Sequence, residues 1–242
     1  KRAFDGDKGP NTGGMGAYKD ADDKLPFLTA AERECELELA EKIFERWAAK
    51  INDNTALRGV PLYLAFMHTG KGIKVLENNS RPGDPEIINI LPLLKDDFVE
   101  VCFRILEGNL KRVELEKAAA VLTYKVPPTY GGYADAFPER VDKTKVDTPV
   151  DLSRAYALAE KYGDRIRVYP GSMEVRDGET YALKSRAVGV LGIGASIEEA
   201  RQISLEGTRA ISGGALWNRT DIAARQHIAQ SISHMEQLRR NL

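Results

Sequence analysis

Two strings of this sequence hold residue types whose spacing can do chemistry. The first is LENNSRPGDPE, Leu76 to Glu86, at the end of an apolar run that reads as a strand. Side chains alternate across a strand, so Glu77, Asn79 and Arg81 project to one face for as long as the strand lasts. That face offers a carboxylate oxygen, an amide oxygen and a guanidinium. Hard divalent cations such as Mg²⁺ take oxygen ligands, keep some waters and are completed by substrate phosphates, while arginine presents a planar fork to phosphate or carboxylate. A metal–phosphate site is one reading. A strand edge carrying solvated polar groups is the other, and spacing alone does not separate them.

The second string is DKGPNTGGMGAY, Asp7 to Tyr18, with glycines at 9, 13, 14 and 16. Glycines let backbone N–H groups approach a ligand or build an anion-binding nest, and Asn11 and Thr12 add neutral hydrogen-bonding groups. The string lacks Gly-Lys-Ser/Thr and follows no predicted strand, so it is neither a Walker loop nor a Rossmann turn. A plain flexible loop is the competing reading. A third glycine run, GVLGIGAS from Gly189 to Ser196, raises the alternative of an NAD(P)-dependent oxidoreductase. Gly192 and Gly194 match the first two positions of the dinucleotide fingerprint, but Ile197 occupies the third and no alternating βαβ pattern surrounds it. Cys35 and Cys102 lack metal spacing and read as packing residues, as do His68, His227 and His234.

Residues 1–28 show no apolar period and read as loop. Thr29 and Glu32 stand at capping-box spacing ahead of a helix striped by Cys35, Leu39, Ile43, Trp47 and Ile51, a face expected to meet a core. A hairpin of strands near 60–68 and 73–79 follows, the first apolar enough to be covered on both faces. Asp84 to Leu110 reads as a turn and two helical segments, the second patterned by Val99, Phe103, Leu106 and Leu110. After the charged KRVELEK the texture changes to a strand, a long loop, a hairpin across Asp177–Gly178, a helix from Ser196 and a last helix near Ile222 to Leu238. Two subdomains meeting near residue 112 account for this order.

With 242 residues, 43% apolar and 29% charged, the chain is long enough for one large core or two modest ones. Its 35 Lys plus Arg balance 36 Asp plus Glu, so no net field would hold nucleic acid or an anionic membrane surface. No apolar stretch approaches the roughly 18 residues of a membrane span, and the opening KRAFDGDKGP is not a signal-peptide pattern. A cytoplasmic setting is the expectation.

GPNTGGMGAY followed by E-x-N-x-R-x-GDPE resembles the phosphoribosylamine–glycine ligase family, whose members carry both strings in this order on an ATP-grasp fold. The resemblance continues through VLTYKVPPTYGGY, SRAVGVLGIGASIEEA and WNRTDIA, and so covers essentially the whole chain. It implies an α+β fold: the C-terminal part of an ATP-grasp core, a sheet with packed helices, over residues 1–112, then a smaller β-rich domain over residues 113–242. By this resemblance Glu77 and Asn79 match the ligands of the Mg²⁺ or Mn²⁺ that bridges the ATP phosphates. Arg81 and Asp84 lie in the loop beside phosphoryl transfer, and Asp7, Pro10, Asn11, Thr12, Gly13 and Gly14 line the substrate side.

The implied substrates are ATP, glycine and 5-phosphoribosylamine, joined through a glycyl phosphate in purine synthesis. Three positions depart from the family pattern: Asn78 stands for an aromatic, Ser80 for Ala or Cys, and Pro82 for Phe. Pro82 is placed to re-aim Arg81. The family also carries an N-terminal domain and an ATP-binding lid ahead of the glycine-rich loop, so the 242 residues alone are expected to be inactive. A non-catalytic nucleotide-binding module is the alternative for the chain taken by itself.

Overall fold

The computed structural model describes residues 1–51, 57 and 59–240. They form two compact units that interleave along the chain: residues 1–23, 84–90 and 117–227 make the first, and residues 24–83, 91–116 and 228–242 the second. The expected linear division near residue 112 thus falls close to one crossover, at Glu116–Lys117, but residues 1–23 and 84–90 join the later unit. Strand pairing is the reason, because the opening segment supplies an edge to a sheet built from residues beyond 117.

That opening segment carries three short strands where only loop was expected: β1 (Arg2–Phe4), β2 (Lys8–Asn11) and β3 (Gly16–Lys19). β1 and β2 form an antiparallel hairpin whose turn uses positive φ at Gly6 and Asp7 (70° and 55°). In the second unit, α1 (Ala30–Ile51) begins at the expected capping box. The Thr29 N–H donates to Glu32 Oε2 at 2.8 Å, and the Glu32 N–H donates to Thr29 Oγ1 at 3.2 Å. The stripe of α1 is only half covered: Leu39, Ile43 and Trp47 are half-buried, while Cys35 and Ile51 are exposed.

β4 (Tyr63–Thr69) and β5 (Gly72–Asn79) make the expected hairpin, antiparallel with a bulge at Ala65/Phe66. β4 is not covered on both faces; it is half-buried, and Met67 is 49% exposed. Among the described residues the sheet has two strands only, too few to enclose it. Short 3₁₀ turns at Glu86–Asn89 and Leu91–Leu93 then lead to α2 (Phe98–Glu107), one helix where two segments were expected. Asp97 caps it by accepting from the Val99 and Glu100 N–H groups, and Gly108 ends it at φ 73°. Its packed residue is Val101, whereas Val99, Phe103 and Leu106 of the expected stripe lie exposed.

The core lies in the first unit. β6 (Ala119–Lys125) is flanked by β3 and by β11 (Val188–Gly194), and β11 by β8 (Ile166–Pro170), giving the antiparallel order β3-β6-β11-β8. Between β6 and β8 run a short helix α3 (Tyr133–Ala136), β7 (Val150–Asp151) and α4 (Ser153–Tyr162), an element absent from the sequence reading. The Asp177–Gly178 turn joins β9 (Met173–Arg176) to β10 (Glu179–Ala182) as expected.

α5 (Ile197–Ala210) lies on the sheet, and β12 (Ser212–Gly213) pairs with β7 before α6 (Arg225–Arg240). Ala119 to Leu122, Val188, Val190 and Leu191 are fully buried.

The α5–β11 contact accounts for GVLGIGAS. A Cβ on Gly192 would sit 2.0 Å from the Ala200 carbonyl oxygen, and one on Gly194 would sit 2.9 Å from the Ala200 nitrogen. The glycines are there so that helix backbone can touch strand backbone. The α5 N-terminus is closed by its own chain, since Ser196 Oγ accepts from the Glu199 N–H and Glu199 accepts from the Ala195 N–H. In a fully antiparallel sheet there is no βαβ crossover, so the dinucleotide reading is withdrawn.

Candidate functional site

In the first unit the β1–β2 turn meets the segment Arg219–Asp221. Arg219 is 4% exposed. Its Nε and Nη2 donate to the two Asp221 carboxylate oxygens at 2.7 and 2.6 Å, Nη2 also reaches Asp7 Oδ1 at 3.0 Å, and Nη1 donates to the Arg2 carbonyl at 3.0 Å. His227 Nε2 lies 2.8 Å from Asp7 Oδ2, and the Thr220 hydroxyl donates to Asp5 at 2.6 Å.

Burial alone would raise the Asp221 carboxyl, but the Arg219 bonds and the Gly6 N–H outweigh it and carry it down to about 2. Burial likewise opposes His227 and Arg219 at Asp7, and the partners prevail, so Asp7 is lowered and stays ionised. Burial and the nearby Asp7 charge push Tyr18 up to about 12. Asp7, singled out by sequence, is therefore a fixed carboxylate on a buried arginine; Arg219, Asp221 and His227 were not foreseen.

Residues 10–14 form the next part. Pro10 and Asn11 lie in exposed β2. Thr12 donates to the Lys1 carbonyl through both its N–H (2.8 Å) and its hydroxyl (3.1 Å), and its Oγ1 accepts from the Gly14 N–H at 3.1 Å. The Gly13 N–H donates to Tyr130 Oη at 3.1 Å. These backbone donors are engaged inside the protein, so the loop does not form an open nest. Gly14 sits at φ 113°, and a Cβ there would lie 2.8 Å from the Pro85 ring. Asp84 stands beside this loop: its carboxylate accepts from Arg186 Nη2 at 2.8 Å, while Arg186 Nη1 donates to the Gly13 carbonyl at 3.3 Å. Arg186 escaped sequence reading because residues 181–193 were read as one strand, whereas β11 begins only at Val188.

In the second unit β5 presents Glu77 opposite Ala65 and Asn79 opposite Tyr63. Glu77 is exposed. Asn79 is half-buried, and its buried Nδ2 makes no hydrogen bond among the described residues. No group of three His, Cys, Asp or Glu that could hold a metal exists among the described residues. Two oxygen ligands on one strand face, beside an unsatisfied amide N–H that a phosphate or water oxygen would satisfy, suit Mg²⁺ or Mn²⁺ completed by waters and phosphate. The set does not suit a metal caged wholly by protein. Arg81 turns back on its neighbour, donating to the Pro82 carbonyl at 2.8 Å.

Residues 1–87 match a family model described as phosphoribosylglycinamide synthetase, ATP-grasp (A) domain. A phosphoribosylamine–glycine ligase of Methanocella arvoryzae is 36% identical over 241 residues, 99% of this chain and 51% of its own length. One from Methanocaldococcus jannaschii is 38% identical over 241 residues, 98% of this chain and 50% of its own length. The chain is similar to phosphoribosylamine–glycine ligases over nearly its whole length. It spans about half the length of the curated relatives it matches. The crystal structure of phosphoribosylamine–glycine ligase from Thermotoga maritima superposes with a TM-score of 0.65 at 24% identity, covering 92% of this chain and 49% of that one. This likeness shows a shared fold, in agreement with the α+β architecture expected from sequence.

Proposed function

We propose that this chain is the part of a phosphoribosylamine–glycine ligase that carries the metal ligands and one wall of the substrate site. The likeness to curated ligases across 99% of the chain, running through both chemical strings, carries the reading. ATP would transfer its γ-phosphoryl group to the glycine carboxylate, releasing ADP. The phosphoribosylamine nitrogen would then attack the acyl carbon, phosphate would leave, and the amine would give up a proton, yielding glycinamide ribonucleotide.

Glu77 and Asn79 would hold Mg²⁺ or Mn²⁺, whose charge would offset that of the ATP phosphates. Asp7, with the outer surface of Pro10 to Gly14, would line the substrate side, with Asp84 and Arg81 near the transferring group. Catalysis of this kind is mainly positioning and electrostatics, so fixed carboxylates and a buried arginine are suitable parts. We assign residues 1–112 to the ATP-grasp region and 113–242 to the β-rich C-terminal domain, with residues 1–23 and 84–90 sharing the compact unit of residues 117–227.

The lid and N-terminal domain would come from the part of the relatives' length that this chain does not span. No helix among the described residues is long and apolar enough to cross a membrane. A cytoplasmic setting and small-molecule partners complete the reading. The test is the full-length protein carrying these residues, given ATP, Mg²⁺, glycine and freshly generated phosphoribosylamine. Glycine-dependent ADP release coupled to glycinamide ribonucleotide is expected, and its absence would reject the reading.

A further inference from the structure

Asp84 is 53% exposed at its side chain, and an exposed carboxylate on a loop ordinarily samples many positions. Here one side chain removes that freedom. Arg186 is 17% exposed, and its backbone is fixed on both sides. Its carbonyl accepts from the Ser172 N–H at 2.8 Å, and the next residue, Ala187, is fully buried and donates to the Lys125 carbonyl at 3.0 Å. The guanidinium then lies over the Tyr124 ring, 5.1 Å from its centroid. From that anchored position it spans Asp84 Oδ2 at 2.8 Å and the Gly13 carbonyl at 3.3 Å. Gly13 is held a second time through Tyr130, whereas Arg186 is the only cation within ion-pair distance of Asp84 among the described residues.

We propose that Arg186 is a positioning residue that locks the Asp84 carboxylate to the glycine-rich loop. The proposal rests on the ligase reading for its kinetic consequences but not for its structural one. A planar guanidinium reaches two acceptors at once from a stacked position, which an ammonium on a flexible stem does not. Misplacement of an aligned group by about 1 Å costs on the order of a hundredfold in rate.

The test compares wild type, Arg186→Ala, Arg186→Lys, Asp84→Asn and the Asp84→Asn/Arg186→Ala double variant in the full-length protein. We expect Arg186→Ala to lower kcat by about a hundredfold, with the double variant no worse than the poorer single, since both remove one coupled unit. Arg186→Lys should recover about a tenth of the lost rate by restoring charge without the fork. Amide exchange should rise together in residues 10–14 and 84–87 of Arg186→Ala while the sheet stays protected.

Unchanged exchange in both segments overturns the positioning role whatever the activity. Losses that multiply in the double variant overturn it too, as does an Arg186→Ala rate near wild type. A wild type that makes no glycinamide ribonucleotide but shows the exchange change overturns the ligase reading alone. Should Arg186→Ala fail to fold, the same comparisons are made with Arg186→Lys and Asp84→Asn, which keep a polar group in place.

Discussion

Replacing Asp221 with Asn isolates the worth of the buried charge cluster behind the β1–β2 turn. Asp221 is 18% exposed at its side chain and takes a two-point contact from Arg219, together with the Gly6 N–H at 2.7 Å. Moving its carboxyl from 3.8 to about 2 corresponds to about 2 kcal/mol of stability at neutral pH. Asn also leaves Arg219 with Asp7 as its closest counter-charge, at 3.0 Å, and breaking one partner of a buried pair costs about 3–5 kcal/mol. Asp7 is 57% exposed and its compensation is partial, so the loss should fall between the two figures, at about 3 kcal/mol.

The sign with pH follows from the direction of the shift. A carboxyl whose folded pKa is depressed contributes fully above its unfolded pKa and loses that contribution as pH falls toward the folded value. The gap between wild type and Asp221→Asn should therefore be full above about pH 4 and shrink between about pH 4 and 2. Trp217 reports on this unit through its stacking on Tyr133, so urea unfolding followed by fluorescence in a Trp47→Phe background reads it directly. Asp164→Asn, at a side chain 96% exposed, is the control and should change stability by less than about 0.5 kcal/mol. A loss below about 1 kcal/mol at neutral pH, or a gap constant down to about pH 2, would mean that the Arg219–Asp221 contact does not stabilise this unit.

Other expectations are more direct. Glu77→Ala or Asn79→Ala in the full-length protein should depress glycine-dependent ADP release by about a hundredfold or more while leaving circular dichroism and the thermal midpoint near wild type. The 242 residues alone should turn over below about a tenth of the full-length rate, because a site lacking part of its walls loses orientation worth roughly 7–11 kcal/mol of barrier. Gly192→Ala should destabilise the first unit by about 3 kcal/mol or more in urea titrations, since a methyl at 2.0 Å from the Ala200 oxygen pushes helix off strand. Tyr130→Phe should cost about 1 kcal/mol through the lost Gly13 N–H partner, with exchange rising at that amide.

What could be read in advance divides by the distance over which each feature is decided. The capping box at Thr29 and Glu32 spans three residues, and the Asp177–Gly178 turn needs only its own positive φ values, 50° and 82°; both stand where the residue types placed them. β5 was equally legible, with Glu77 and Asn79 on one face by alternation alone. β3 was not, because a four-residue strand of Gly, Ala, Tyr and Lys has no reason to be extended until β6 pairs with it. α4 was missed although Ala155, Leu158, Ala159 and Tyr162 make a helical stripe against the core and Asp151 accepts from the Ser153 N–H at 2.8 Å, because the segment between β6 and β8 was read as one long loop.

The same distance argument separates the two kinds of candidate site residue. Glu77 and Asn79 are neighbours on one strand, so their types alone suggest what they could bind. Arg219 and Arg186 acquire meaning only when the chain returns 212 and 102 residues to Asp7 and Asp84. Before folding, each is one charged residue among many. After folding, burial takes solvent from Arg219 and much of it from Arg186, and each must then be answered by carboxylates and carbonyls placed by other elements. The glycine-rich loop shows the reverse. Its composition suggested open backbone donors, yet Thr12, Tyr130 and Lys1 take those bonds, and Gly14 serves to let the Pro85 ring come close. A glycine run therefore signals close approach before it signals what is approached, and only the partner's identity, ligand or protein, gives it a function.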